Sequence, residues 1–179
     1  TFVIPTQAFN AKDTFSTLDA SDPSGIVSDD FNACTLDSGV WTLVDPVGDA
    51  TLSVNGTQAL LSVPAGVDHD VWSAGNRAPR LMQTAADTDF ELEVKFESPL
   101  NTRYQIQGIL IEQDADNFLR FDFYTDGPKT RVFAAKFVNG SPTKIVNTSI
   151  GAAGISPLYM RVTRVGDLWT QSYSLDGTS

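Results

Sequence analysis

Between Phe90 and Phe137 the chain alternates apolar and polar residues in four successive runs, each separated from the next by a short turn. Phe90-Glu91-Leu92-Glu93-Val94-Lys95-Phe96 sets an apolar residue against a charged one at each step. Phe118-Leu119-Arg120-Phe121-Asp122-Phe123-Tyr124 places Leu119, Phe121 and Phe123 on one face and Phe118, Arg120, Asp122 and Tyr124 on the other. Side chains of a strand point alternately to opposite faces, so a period of two predicts strands with a core on one side. The second face of the later strand is unusual. An arginine, an aspartate and two aromatics on one sheet surface can grip a ligand that is both flat and polar, which points to a sugar.

The same signals recur from Asp29 onward at the short spacing of a sandwich or barrel. They predict strands near residues 41–44, 50–54, 59–63, 80–84, 90–97, 104–113, 118–125, 130–138, 143–149, 158–165 and 168–175. Asn55-Gly56 reads as a hairpin turn. Asp114-Ala115-Asp116-Asn117, Asp126-Gly127-Pro128-Lys129, Asn139-Gly140 and Gly166-Asp167 supply residues that accept positive φ or close their own backbone. No segment after Asp29 sustains a helical period, so no helix is available to cover a sheet face. The expectation is an all-β, antiparallel two-sheet β-sandwich occupying residues 28–179. Residues 1–27 read as an N-terminal linker or arm, with the pattern of a short helical turn at 9–15.

Pairing 104–113 with 118–125 across the Asp114–Asn117 turn sets Gln113 opposite Phe118, Ile111 opposite Arg120, Ile109 opposite Asp122 and Gln107 opposite Tyr124. Gln105, Gln107, Arg120, Asp122 and Tyr124 then share one sheet face, and Ile106, Leu110, Leu119, Phe121 and Phe123 line the other. A slip of one residue on either strand would undo the assignment.

Composition narrows the partners. The formal net charge of -10 and pI near 4.3 repel the phosphates of nucleic acid and of anionic membranes, and no apolar run is long enough to span a bilayer. A single cysteine, Cys34, excludes an internal disulfide and a thiolate metal cluster, and a single histidine excludes most zinc sites. The first residues lack the basic start and apolar core of a signal peptide, so the chain reads as a mature or excised piece. Few lysines and many Thr, Ser, Asn and Gly fit an extracellular protein, secreted or on the cell surface.

The run Gln107-Gly108-Ile109-Leu110-Ile111-Glu112-Gln113-Asp114-Ala115-Asp116-Asn117-Phe118-Leu119-Arg120-Phe121 resembles an "AGLLVYxDxxNFVRL"-like hairpin, and Asp89 to Phe96 a "DFxLEVKF"-like strand. Asp29-Asp30-Phe31-Asn32, then Leu36-Asp37 and Trp41, resembles a "DDFN…LDxxW" opening. Together they resemble the concanavalin A-like lectin/glucanase superfamily, nearest to the jelly-roll module appended to bacterial β-xylosidases and related secreted glycosidases. The resemblance implies a jelly roll over residues 28–179 and leaves the ligand open, because the superfamily includes lectins, hydrolases, lyases and spacers. It also implies a structural Ca²⁺ near the start of the domain, where Asp29 and Asp30 offer oxygens. Related jelly rolls continue beyond the strand at 168–175, so a cleaved remainder, a second polypeptide or a neighbouring copy is expected to supply about two further strands.

Catalytic patterns fit poorly. Glucanases of the superfamily carry E-x-D-x-x-E, with acid and nucleophile about 5 Å apart; Glu91-Leu92-Glu93-Val94-Lys95-Phe96-Glu97 has Glu at the centre and its third acid one residue late. Jelly-roll lyases use Gln-x-His with Tyr and Arg, whereas Tyr104-Gln105-Ile106-Gln107 has Gln where His is needed. Asp68-His69-Asp70 invites a triad with Ser73, yet adjacent residues of an extended loop point apart and no G-x-S-x-G occurs. Triplets of the N-x-[ST] type begin at Asn55, Asn139 and Asn147.

Binding chemistry is better supplied. The loop at 64–79 is longer than most connections in a compact domain and gathers polar groups around Trp72. Trp72 can stack on the apolar face of a sugar, His69, Asp70 and Asn76 can meet hydroxyls, and Arg77 and Arg80 can take a uronate carboxylate bidentately. The sequence therefore predicts a non-catalytic carbohydrate-binding domain. Its ligand residues are His69, Asp70, Trp72, Asn76, Arg77, Arg80, Gln107, Arg120, Asp122 and Tyr124, and its partner is a polysaccharide or oligosaccharide. A glycoside hydrolase or polysaccharide lyase on the same fold, and a structural spacer of a surface protein, are the alternatives.

Overall fold

The computed structural model describes residues 2–3 and 23–178. The expected helical turn at 9–15 lies outside the described residues. Among those described the chain is all-β and contains no helix. The strands are β1 (Phe2–Val3), β2 (Thr42–Val44), β3 (Thr51–Val54), β4 (Ala59–Ser62), β5 (Arg80–Met82), β6 (Phe90–Phe96), β7 (Ile106–Glu112), β8 (Phe118–Thr125), β9 (Lys129–Val138), β10 (Ser141–Ala152), β11 (Leu158–Val165) and β12 (Leu168–Ser174). Each predicted strand is present, with ends displaced by no more than a few residues.

The chain divides into two compact units, Thr17–Asp87 and a second made of Thr1–Ser16 with Thr88–Ser179. The larger unit holds two four-stranded sheets, ordered β1-β12-β11-β6 and β10-β9-β8-β7. All pairings in them are antiparallel except β1 with β12, which is parallel. Ile109, Phe121, Phe123, Val132 and Ala134 of one sheet and Leu158, Met160 and Val162 of the other form a single core with Leu100. Gln171 of β12 adds a bond across it, its side-chain N–H donating to the Phe133 carbonyl at 3.2 Å. The smaller unit holds two hairpin-like pairs, β2 with β5 and β3 with β4.

Turn chemistry sets where the meander β7-β8-β9-β10 reverses. Asp114 Oδ1 accepts the backbone N–H groups of Asp116 and Asn117 at 2.9 and 2.8 Å, closing the β7–β8 turn. Between β9 and β10, Asn139 takes φ +50°, the Gly140 N–H donates to the Asp116 carbonyl at 2.9 Å and the Asn139 N–H to Asn117 Oδ1 at 3.1 Å. In the smaller unit Asn55 Oδ1 accepts from the Thr57 N–H, the Thr57 hydroxyl and the Gln58 N–H, shaping the expected Asn55-Gly56 hairpin.

One expectation is corrected. β7 and β8 pair with Leu110 opposite Arg120, Gly108 opposite Asp122 and Ile106 opposite Tyr124. The hairpin is thus slipped by one residue from the predicted register. Gln107 sits opposite Phe123, on the core face, and not beside Tyr124. Gly108 supplies the physical reason. A Cβ built there would lie 2.5 Å from Asp122 Cβ and 2.6 Å from its Cα, and closer still to the Phe121 carbonyl oxygen. Only glycine fits against Asp122, and either neighbouring residue in its place would collide.

Candidate functional site

The face of sheet β10-β9-β8-β7 that turns away from the shared core carries, in register, Phe118, Arg120, Asp122 and Tyr124 of β8, then Phe137, Ala135, Phe133 and Arg131 of β9. Most of this face is buried. Phe118 stacks on Phe137 with centroids 4.1 Å apart, and Arg120 and Asp122 retain only 6% and 2% exposure. Arg120 Nε donates to Asp122 Oδ2 at 2.5 Å, and the guanidinium lies 4.9 Å over the Phe133 ring. Burial pushes the Asp122 carboxyl above its ordinary range, while the Arg120 charge and hydrogen bond pull it back. Arg120 and Asp122 therefore occupy the predicted face but serve each other within it, and neither offers a solvent-facing group to a ligand. Gln107 leaves the set altogether, its side-chain amide donating to the Ser98 carbonyl at 3.1 Å.

Towards the Tyr124 end the same face opens. The Tyr124 hydroxyl donates to Asn147 Oδ1 at 2.9 Å, and Arg131 Nη1 donates to the same oxygen at 3.0 Å. Arg131 Nε donates to Asp126 Oδ2 at 2.5 Å, which holds the Asp126 carboxyl below its usual value and the Arg131 guanidinium above. Phe133 meets the Tyr124 ring edge-on at 5.7 Å. Asn147 is exposed, and the Arg131 and Asp126 side chains keep 28% and 26% of their surface. An aromatic ring, a guanidinium, a carboxylate and an amide thus stand together on three strands and the β8–β9 turn. Of these only Tyr124 belongs to the ligand set expected from the sequence, in which Asp126 is a turn residue and Asn147 opens an N-x-[ST] triplet. The signal for Arg131 was present in the Asp126-Gly127-Pro128-Lys129 turn, which sets Tyr124 opposite Arg131 once the hairpin is paired across it.

In the smaller unit the predicted loop residues are drawn together, with their polar groups largely turned on the loop itself. His69 Nε2 meets Asp49 Oδ1 at 2.7 Å and Nδ1 meets the Val67 carbonyl at 3.2 Å. Asp70 Oδ2 accepts the Ser73 and Ala74 N–H groups at 3.0 and 3.4 Å, and the Asp70 carbonyl accepts the Arg77 N–H at 3.0 Å. Val71 bridges to Asn76, Arg80 Nη1 donates to the Ala78 carbonyl at 3.0 Å, and Trp72 is half-buried. These contacts tie the loop to itself and, through His69, to Asp49.

Asp29 and Asp30 also spend their oxygens locally. Asp29 accepts the Phe31 N–H and the Trp41 indole N–H, both at 2.8 Å, and Asp30 accepts the Asn32 N–H at 3.2 Å. Asp29, Phe31 and Asp37 line a pocket of about 220 Å³, smaller than cavities that take drug-sized ligands (roughly 300–1,000 Å³). Among the described residues no three His, Cys, Asp or Glu side chains are grouped to hold a metal ion. On β6, Arg161 Nη2 of β11 donates to Glu93 Oε2 at 2.9 Å, Glu91 accepts the Thr163 hydroxyl at 3.0 Å, and Lys95 pairs with Glu97.

No family model matches the chain, and neither a curated protein nor a solved structure matches it.

Proposed function

We propose that the chain is a non-catalytic carbohydrate-binding module of a secreted glycan-active or adhesive protein, on a jelly-roll sandwich of the concanavalin A-like kind. The observation that carries this reading is the Tyr124–Asp126–Arg131–Asn147 cluster. A sugar hydroxyl both donates and accepts, so its receptor needs mixed donors and acceptors at fixed positions beside an aromatic surface. Here those groups are already tied to one another, and ordering them costs little when a ligand arrives. They rise mainly from strands, which hold geometry better than loops do. On β6 Glu93 accepts from Arg161 and Glu91 from Thr163, the arrangement of a hydrogen-bonded surface ladder.

The test is a glycan array with the purified chain, followed by titration of the polysaccharide it retains. The expected result is saturable binding without product release, weakened about tenfold or more by Asn147→Ala, which takes the shared acceptor from Tyr124 and Arg131. Release of shorter sugars would replace the module with a hydrolase or lyase. A chain that retains no glycan would be a spacer. The resemblance also carries a structural Ca²⁺ at Asp29 and Asp30, which would recruit backbone carbonyls and water beside those carboxylates. A melting temperature indifferent to EDTA removes that ion.

A further inference from the structure

Tyr104 breaks a backbone rule at the edge of the candidate site. Its φ is +68°, in the left-handed region that costs a bulky residue energy and that glycine occupies freely. The Gln105 N–H closes a turn onto the Thr102 carbonyl at 2.9 Å, with Tyr104 in its third position. The Tyr104 N–H donates to the Thr125 carbonyl at 2.7 Å while the Thr125 N–H donates to the Gln105 carbonyl at 3.2 Å. Two residues therefore face one, which is a β-bulge whose first residue is left-handed, the place where glycine is the standard occupant. The aromatic ring gains little by burial in return, for Tyr104 is 63% exposed. The Arg103 guanidinium lies 4.6 Å from the ring centroid. Thr125, which anchors this bulge, lies between Tyr124 and Asp126 in the chain.

We propose that Tyr104 is the sugar-stacking residue of the site, receiving the apolar face of a pyranose ring of a neutral polysaccharide next to the chain segment, tied to it through the Thr125 backbone, that carries Tyr124 and Asp126. This rests on the carbohydrate-binding reading and deepens it. An exposed ring on a strained backbone contributes nothing evident to folding, and strain kept at one position is characteristic of ligand clamps. The ligand is neutral because a chain of net charge -10 repels a polyanion, Asp126 already occupies Arg131 of the cluster, and the Arg103 guanidinium is engaged with the Tyr104 ring.

Tyr104→Gly separates stability from binding. Relief of the left-handed tyrosine raises the melting temperature, by about 2–4 °C, while loss of the ring weakens binding about 5- to 150-fold, a range scaled from aromatic stacking on nucleic-acid bases. Tyr104→Phe, which keeps the ring, restores affinity to within about threefold of the parent chain. The probes are arabinoxylan, galactomannan and a β-1,3-glucan, with polygalacturonate as the anionic comparator. If the parent chain binds a neutral probe and Tyr104→Gly binds it equally well, the stacking role is overturned while the module survives. Preference for polygalacturonate overturns the neutral ligand. If the parent chain binds none of the neutral probes yet retains another glycan on the array, the neutral stacking role is overturned while the module survives; if it retains no glycan at all, the module itself is overturned.

Discussion

At the scale of single residues, the chain places its most demanding chemistry where the sheet leaves no slack. Gly108→Ala forces a methyl group into Asp122 and the Phe121 carbonyl, and a denaturant titration should show a loss of about 1–3 kcal/mol. Arg120→Met strands the buried Asp122 carboxylate and is expected to cost about 3–5 kcal/mol, whereas the double variant with Asp122→Leu recovers most of it. The two depressed or elevated carboxylates pull stability in opposite directions with pH. Asp126 is held below its unfolded value of 3.8, so its contribution is present above that pH and is lost as acid protonates it in the folded state. Asp122 is raised, so the folded state holds its proton more tightly. Its contribution is full below 3.8 and fades as pH climbs through the folded value. Melting curves of Asp126→Asn and the parent chain should therefore differ near neutrality and converge in acid. Tyr124 was legible from alternation alone as a residue of the face turned away from the core. Arg120 and Asp122 were legible as one face, but alternation reports only sidedness, and whether that face is wet or buried depends on packing that no strand encodes for itself.

At the scale of elements, the turns were the most readable part of the chain, since Asp114, Asn55 and the Asn139-Gly140 pair close their own backbones. Register was less readable. Turn length admits two pairings for β7 and β8, and the residue that chooses between them is Gly108, whose missing side chain leaves no mark on the hydrophobic pattern. β10 shows how an edge strand is kept from pairing with strangers. Its register shifts between Lys144 and Val146 and again between Ser149 and Gly151, so Ile145 and Ile150 are extra residues, and Pro142 and Lys144 interrupt the edge. Bulges, charge and proline all discourage edge-to-edge association. Lys144→Val would join Val, Ile and Val in one run beside the bulge, and light scattering of the warmed protein should show faster aggregation than the parent chain.

At the scale of the whole molecule, charge decides what can approach. With a net charge of -10, the affinity for a neutral polysaccharide is expected to change less than about twofold between roughly 50 and 500 mM salt, because no counterions are released. A steep salt slope in the titration would mean that an anionic ligand had been mistaken for a neutral one. The division into two compact units was not legible, because strands of the same kind run through the chain on both sides of Thr88 and no linker composition marks the boundary. The turn between β9 and β10 adds a chemical consequence. Asn-Gly is the dipeptide most prone to cyclise to a succinimide, the glycine nitrogen attacking the asparagine side-chain carbonyl carbon and expelling ammonia, and then to reopen with water as isoaspartate. In the folded chain the Gly140 nitrogen is engaged with the Asp116 carbonyl, so the reaction waits for the turn to open. Isoaspartate at Asn139, read by peptide mapping of stored protein, would then keep a cumulative record of how often that end of the sheet has come apart.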